Sequence, residues 1–150
     1  MAHAYANLHT HVIFSTKDRK AIILPEWKVR LLAYMGGIIR EMHGQALTIN
    51  GMADHVHLLL WTPPVLAISE ALRVLKANSS RWVNQELGLR DAFAWQTGYG
   101  AFSVSHSNTR SVVKYIQDQE EHHKRVSFQE EFVTFLKKNG IQYDERFIWE

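Results

Sequence analysis

"ALTINGMADHVHLLLWTPP", residues 46–64, is the stretch whose reading decides the fold. "ALTINGM" and "HVHLLLWT" are two runs rich in β-formers joined through "ADH". Pro63-Pro64 ends the second run, because proline has no amide to give a strand ladder. Side chains at i and i+2 of a strand leave from one face. His55 and His57 therefore stand side by side, while Val56 between them points into the core.

Upstream, Tyr5 to Ser15 reads as a first strand running into the polar turn "TKDRK". "LPEWKVRLLAYMGGIIREMHG" follows as a helix with Pro25 in its first turn. Trp27, Leu31, Leu32, Met35, Ile38, Ile39 and Met42 recur at helical spacing, and Gly44 supplies the stop. The Gly36-Gly37 pair weakens that helix and would admit a second backbone at close range. Downstream, a second helix runs from about Ser69 to Leu87, with Leu72, Leu75, Trp82 and Val83 toward the core, and closes on Gly88.

"FAWQTGYGAFSVS" contributes one more strand, ending near Ser105. "SNTRSVVKYIQDQEEHHKR" is a third helix with Ser107 or Asn108 as cap. "SFQEEFVTFLKKNG" is a fourth, opened by a capping box from Ser127 to Glu130 and closed on Gly140. The tail "IQYDERFIWE" is expected to dock through Tyr143, Phe147 and Trp149. The order strand, helix, strand, strand, helix, strand, then helices predicts an α+β fold: a ferredoxin-like split βαβ sandwich with an antiparallel sheet. Helices should cover one sheet face and leave the other to a partner. A C-terminal helix should carry Tyr115. With no repeat, linker or low-complexity tract, residues 1–150 are expected to form a single domain.

Composition narrows the function without naming it. Hydrophobic residues make up 46% of the 150 and charged residues 21%, the balance of a globular protein. The chain has no cysteine, which excludes disulfides and thiolate metal sites and fits a reducing cytoplasm. The N-terminal residues lack the pattern of a signal peptide, and no apolar run reaches membrane-spanning length. A formal charge of +2 with nine histidines counted neutral permits a nucleic-acid partner without arguing for one.

Neutral imidazole is the commonest protein metal ligand, so a strand presenting His55 and His57 together can hold one ion with positions to spare. His9 and His11 have the same spacing, but nothing reactive lies near them in sequence. His122 and His123 are adjacent on a helix, so their rings should diverge onto a solvated or DNA-facing edge. Tyr115 and Gln119 are four apart and share a helix face. Alone they read as a half-buried tyrosine beside a surface glutamine. Beside His55 and His57, a phenol and an amide oxygen would complete a site for a divalent ion and a phosphate.

"ADHVHLLL" followed by "VVKYIQDQEEHH" resembles the single-tyrosine HUH transposases of the insertion sequence 200/605 family, which include the REP-associated tyrosine transposases. The likeness runs from "HVIFSTKDRK" through "GYGAFSVS" to "SFQEEF" and "YDERFIW", nearly the whole chain. It implies that His55 and His57 are metal ligands, that Gln119 is the third ligand and that Tyr115 is the nucleophile. It implies an Mg²⁺- or Mn²⁺-dependent endonuclease and strand transferase acting on single-stranded DNA beside hairpins, through a covalent 5′-phosphotyrosine. It also implies a homodimer with composite sites, in which the histidines of one subunit face Tyr115 and Gln119 of the other. The setting implied is a bacterial or archaeal cytoplasm, at the nucleoid during action. An active insertion-sequence enzyme and a domesticated REP-associated relative would look alike at this level.

Arg73, Lys76 and Arg81 on the second helix, and Lys114, Lys124 and Arg125 near the tyrosine, are candidate DNA contacts, each equally readable as a solvated helix face. Trp95, Tyr99 and Phe102 suit stacking on unpaired bases but read better as core or dimer-interface residues. Two rival functions stay open. One is a zinc hydrolase on the same histidine pair, which needs a further ligand and a general base. The other is a non-catalytic nucleic-acid-binding module on the same sheet.

Overall fold

The computed structural model describes residues 4–90 and 92–150. Four strands form one sheet: β1 (Leu8–Ser15), β2 (Gln45–Gly51), β3 (His55–Thr62) and β4 (Gly100–Val104), in the order β2-β3-β1-β4. Every pairing is antiparallel. Helices α1 (Pro25–Glu41) and α2 (Ile68–Leu87) connect β1 to β2 and β3 to β4. The split βαβ expectation is met.

The central strands alternate between two cores. Val12, Phe14, Val56, Leu58 and Leu60 pack with Leu31, Met35, Ile39, Leu72 and Leu75 from α1 and α2. Leu58 and Leu60 are fully buried, so truncating either to alanine would cost about 2–5 kcal/mol. His9, His11, Ile13, His55 and His57 leave the opposite face. That face was expected to stand open, and it does not. Ile13 and Phe102 are covered by Phe128, Phe132 and Leu136, with Tyr143, Ile148 and Trp149 packed alongside. The second layer comes from α3 (Thr109–Gln117), α4 (Gln119–His122), α5 (Phe128–Lys138) and the tail. A strand run as apolar as "HVHLLLWT" is what a sheet covered on both faces requires.

Several local expectations need correction. Helix α1 is stopped by His43 with a positive φ of 64°, one residue before Gly44. Gly44 is instead small because a Cβ would meet the Trp61 carbonyl at 3.0 Å. Among the described residues no second backbone approaches Gly36 or Gly37; a Cβ there meets only Arg40 and Ile49 side-chain atoms at 3.7–3.8 Å. The predicted third helix is interrupted at Asp118 (φ −91°, ψ 19°), and neither end of α3 uses a side-chain cap of its own. Asn50 on β2 supplies the missing partner: its amide donates to the carbonyls of Ile116 (2.9 Å) and Gln117 (3.3 Å), satisfying orphaned helix-end acceptors.

Helix α5 behaves as read. Ser127 Oγ accepts from Glu130 N–H at 3.2 Å. Gly140 (φ 67°) and Ile141 close the helix by donating to Lys137 and Leu136, a Schellman end. In the tail Phe147 is exposed rather than docked, and Ile148 takes its place beside Tyr143 and Trp149.

Candidate metal and nucleophile site

The strand period puts His55 and His57 on the α3–α5 side of the sheet, both buried. What surrounds them comes from three later elements. The break at Asp118 turns the chain so that α4 and α5 fold back over β3. Glu131, on the buried side of α5, then lies under the histidines. Its carboxylate Oε1 accepts from His57 Nε2 at 2.9 Å and from His123 Nε2 at 3.1 Å. Its Oε2 accepts from the Tyr115 hydroxyl and lies 3.1 Å from His122 Nε2. One donor atom from each of His55, His57, His123 and Glu131 lies within 4.8 Å of the others.

Glu131, His122 and His123 are the residues that the sequence reading missed or misplaced. His122 and His123 do not diverge to a solvated edge; both rings reach one carboxylate. The available signal was Glu131 itself, a charged residue at an apolar position of the "SFQEEFVTFL" periodicity.

The ring tautomers follow from the partners. Burial would push Glu131 up, but hydrogen bonds from His123, His57 and Tyr115 hold it well below the usual carboxylate range, so it only accepts. His57 must then carry its proton on Nε2. Burial, only partly opposed by Glu131, holds His57 neutral, down to about 4. Its bare Nδ1 faces His11 Nε2 at 2.9 Å. Burial together with His57 pushes His11 down to about 3. His11 is therefore a neutral partner that sets the His57 ring. It stands diagonal to His57, which pairs with Ile13.

His55 Nδ1 donates to Asp54 Oδ1 at 2.7 Å. Strand alternation alone would send Asp54 to the face opposite His55. Asp54 precedes the strand, so alternation does not govern it, and its carboxylate turns the His55 Nε2 toward the cluster. A carboxylate behind a metal-binding imidazole fixes the ring and raises its basicity. His123 is pulled down by burial, but Glu131 more than offsets this and leaves it above its ordinary value.

Tyr115 sits on α3 with its ring 5.9 Å from that of His57 and 5.6 Å from Phe135. Burial and then the Glu131 charge raise its phenol above the ordinary value, so as placed it is protonated. Gln119 is fully buried and lies just beyond the helix break. Its Nε2 donates to the Tyr115 carbonyl at 3.1 Å, and its Oε1 accepts from His123 Nε2 at 2.8 Å. Its amide oxygen thus stands next to the His123 nitrogen of the converging cluster. Within the single chain, α3 rests on β2 and β3 and brings Tyr115 beside these histidines.

A cleft of about 640 Å³ opens beside Tyr115, lined among others by Ser111, Lys114, His122 and Arg125. Lys114 and Arg125 thus line the same cleft as Tyr115. Lys124 is not part of this lining but pairs at 2.8 Å with Glu121, which is. Arg73, Lys76 and Arg81 sit on α2, across the sheet. Arg73 pairs with Glu70 at 2.7 Å. Lys76 donates to the carbonyls of Thr97 and Gly98, and burial lowers it to about 8. Trp95 and Phe102 are core residues, and Tyr99 is half-exposed.

Residues 4–119 match the family model described as IS200-like transposase. The transposase of insertion sequence element IS200 from Salmonella typhimurium is 29% identical over 133 residues, covering 83% of this chain and 84% of that protein. The ISDra2 transposase TnpA of Deinococcus radiodurans is 28% identical over 117 residues, 75% of this chain and 84% of its own. A Deinococcus radiodurans R1 crystal structure assigned as a transposase superposes with a TM-score of 0.65 at 24% identity, covering 79% of this chain and 96% of that one. A REP-associated tyrosine transposase bound to a REP hairpin superposes at 0.61 with 16% identity, over 84% and 74%. His122, His123 and Glu131 all lie beyond the matched residues 4–119.

Proposed function

This chain belongs to the IS200-like transposases, and from that premise we propose that it cuts and rejoins single-stranded DNA at hairpin-flanked ends with Tyr115 as nucleophile. The observation that carries the proposal is the shared carboxylate. Glu131 receives the Tyr115 hydroxyl on one oxygen and His57 and His123 on the other. The nucleophile and the metal-capable cluster are thereby held in register by one side chain.

His55, His57, His123 and Glu131 would hold a divalent cation; of Mg²⁺ and Mn²⁺, the imidazole-rich set suits Mn²⁺ better. Bound there, it would offset the Glu131 charge that keeps the phenol protonated and draw charge from a phosphate oxygen. In the cutting step the Tyr115 Oη–P bond forms and the P–O3′ bond breaks. The phenol proton passes to Glu131, its hydrogen-bond acceptor, and the leaving 3′ oxygen takes a proton from solvent. The ester keeps the activation of the original bond, so a second 3′ hydroxyl reverses the step and joins new ends. Gln119 positions His123 and the Tyr115 carbonyl. Lys114 and Arg125 contact the backbone at the cleft.

In this reading the site is assembled within one chain, and a homodimer pairs two whole sites. The test uses hairpin-bearing single strands labelled at the 3′ end. A labelled band that stays with the protein on a denaturing gel, and is lost in Tyr115→Phe, is the expected result. Free cleaved product with no adduct would instead favour the water-attacking hydrolase.

A further inference from the structure

The same sheet face carries a second pocket, away from the cluster. His9, Trp61 and Gln45 lie in one register row across β1, β3 and β2. This row is four strand residues from His57, about 13 Å along β3. A bulge between Ala46 and Thr48 leaves Leu47 outside the pairing, and such a bulge re-aims the extra side chain. Leu47 joins Asn7, His9, Gln45, Trp61 and His106 in lining a pocket of about 430 Å³. Among the described residues the lining contains no charged side chain. It has one indole, two imidazoles, two amides and one leucine.

His9 is only 8% exposed, yet its Nδ1 has no hydrogen-bond partner among the described residues. A buried unpaired polar nitrogen costs about 1–3 kcal/mol and calls for an explanation. The cluster does not explain it, since the neighbouring His11 turns to His57 and His9 turns away along the strand. His9 and His106 rings stand 6.2 Å apart, and Asn7 Nδ2 is 3.2 Å from His106 Nδ1.

We propose that this pocket takes one unpaired nucleobase of the bound strand, with Trp61 as stacking surface and His9, Gln45 and Asn7 as its hydrogen-bonding edge. The proposal rests on the single-strand reading above and adds a base-reading position to it. Flat aromatic surface beside amide and imidazole edges is the chemistry that reads a splayed base. The absence of lysine and arginine from the lining argues against a phosphate there. The 13 Å offset puts the base roughly two to four nucleotides from the cut, given about 3.4 Å per stacked nucleotide and more when stretched.

The experiment is an abasic scan by fluorescence anisotropy. A single abasic nucleotide is moved through both the single-stranded flank and the loop of a hairpin oligonucleotide. Wild type should lose roughly five- to a hundredfold in affinity at one flank position, the range of one base–aromatic stack. Trp61→Ala and His9→Ala should bind the intact strand more weakly and be indifferent to the abasic nucleotide at that position. Gln45→Ala, on an exposed rim residue that leaves folding intact, should relax the preference among bases there. Variants that stay as sensitive as wild type, a flat scan, or an effect confined to the hairpin loop would overturn the flank-base pocket. Wild type that binds no single strand at all would take the function itself down with it.

Discussion

The Tyr115 hydroxyl donates to Glu131 across a separation of 16 residues, tying α3 to α5 above the paired histidines of β3. Four side chains, Tyr115, His57, His122 and His123, therefore converge on the Glu131 carboxylate. That convergence sets the first prediction.

Glu131→Gln keeps the shape of the side chain and removes its charge. Divalent-ion affinity measured by calorimetry should fall at least about tenfold, and His123→Ala should fall similarly. The phenol of Tyr115 should ionise more easily, because the charge that raises it is gone. Absorbance titration of Glu131→Gln against a Glu131→Gln/Tyr115→Phe double variant isolates that group. Unchanged Mn²⁺ affinity in both single variants would restrict the ligands to His55 and His57.

Acid should destabilise the metal-free protein early. His11 and His57 are held down to about 3 and about 4, from an ordinary 6.5. Below 6.5 the unfolded chain binds protons that these native rings refuse, so stability falls with falling pH, by up to ~1.4 kcal/mol per pH unit per ring. Burial and then His106 lower His9 as well, and His123 lies above its ordinary value and works the other way, so the balance of these rings is a decline toward acid. Thermal melts between pH 7.5 and 4.5 should show the decline, and His11→Phe should flatten it. Equal slopes in the two proteins would mean that His11 is protonated in the native state.

The glycines of α1 and β4 should respond oppositely to alanine. At Gly37 the nearest group to a new Cβ is an Arg40 nitrogen at 3.7 Å, and helix propensity then stabilises by about 0.5–1 kcal/mol. At Gly100 a Cβ would meet the Phe132 ring at 2.8 Å, so the α5 layer must shift, at a cost of about 1–3 kcal/mol. Urea midpoints of the two variants decide. Destabilisation by Gly37→Ala would reveal a partner packed on that helix face.

Because Asn50 holds α3 on its own sheet, mixing His55→Ala with Tyr115→Phe should restore no cleavage. Subunit exchange is verified separately with two affinity tags. Recovered cleavage after confirmed exchange would show that α3 crosses between subunits and that the sites are shared after all.

Strand and helix periodicity carried most of the scaffold, and they carried it for local reasons. Pro25, Gly88, Ser127 and Gly140 mark helix ends through their own backbone and side-chain chemistry. The period of two puts His55 and His57 on one face whatever surrounds them. The four-residue spacing of Tyr115 and Gln119 was visible, but the break between them was not, because Asn50, 66 residues from Ile116 in the chain, supplies the carbonyl partner there. The closing of the second sheet face was also hidden, since amphipathic helices do not say which surface they will cover.

By itself, then, the sequence determined the order of strands and helices along the chain, the histidine pair and the tyrosine helix, all set by short-range repeats. Only the tertiary structure decided that Glu131, His122, His123, His11 and Asp54 belong to the same site. These contacts join β1, β3, α4 and α5, and their distances depend on how α4 and α5 fold back over the sheet. The physical reason is that a buried carboxylate is tolerable only where donors surround it, and that environment exists only once the layers have packed.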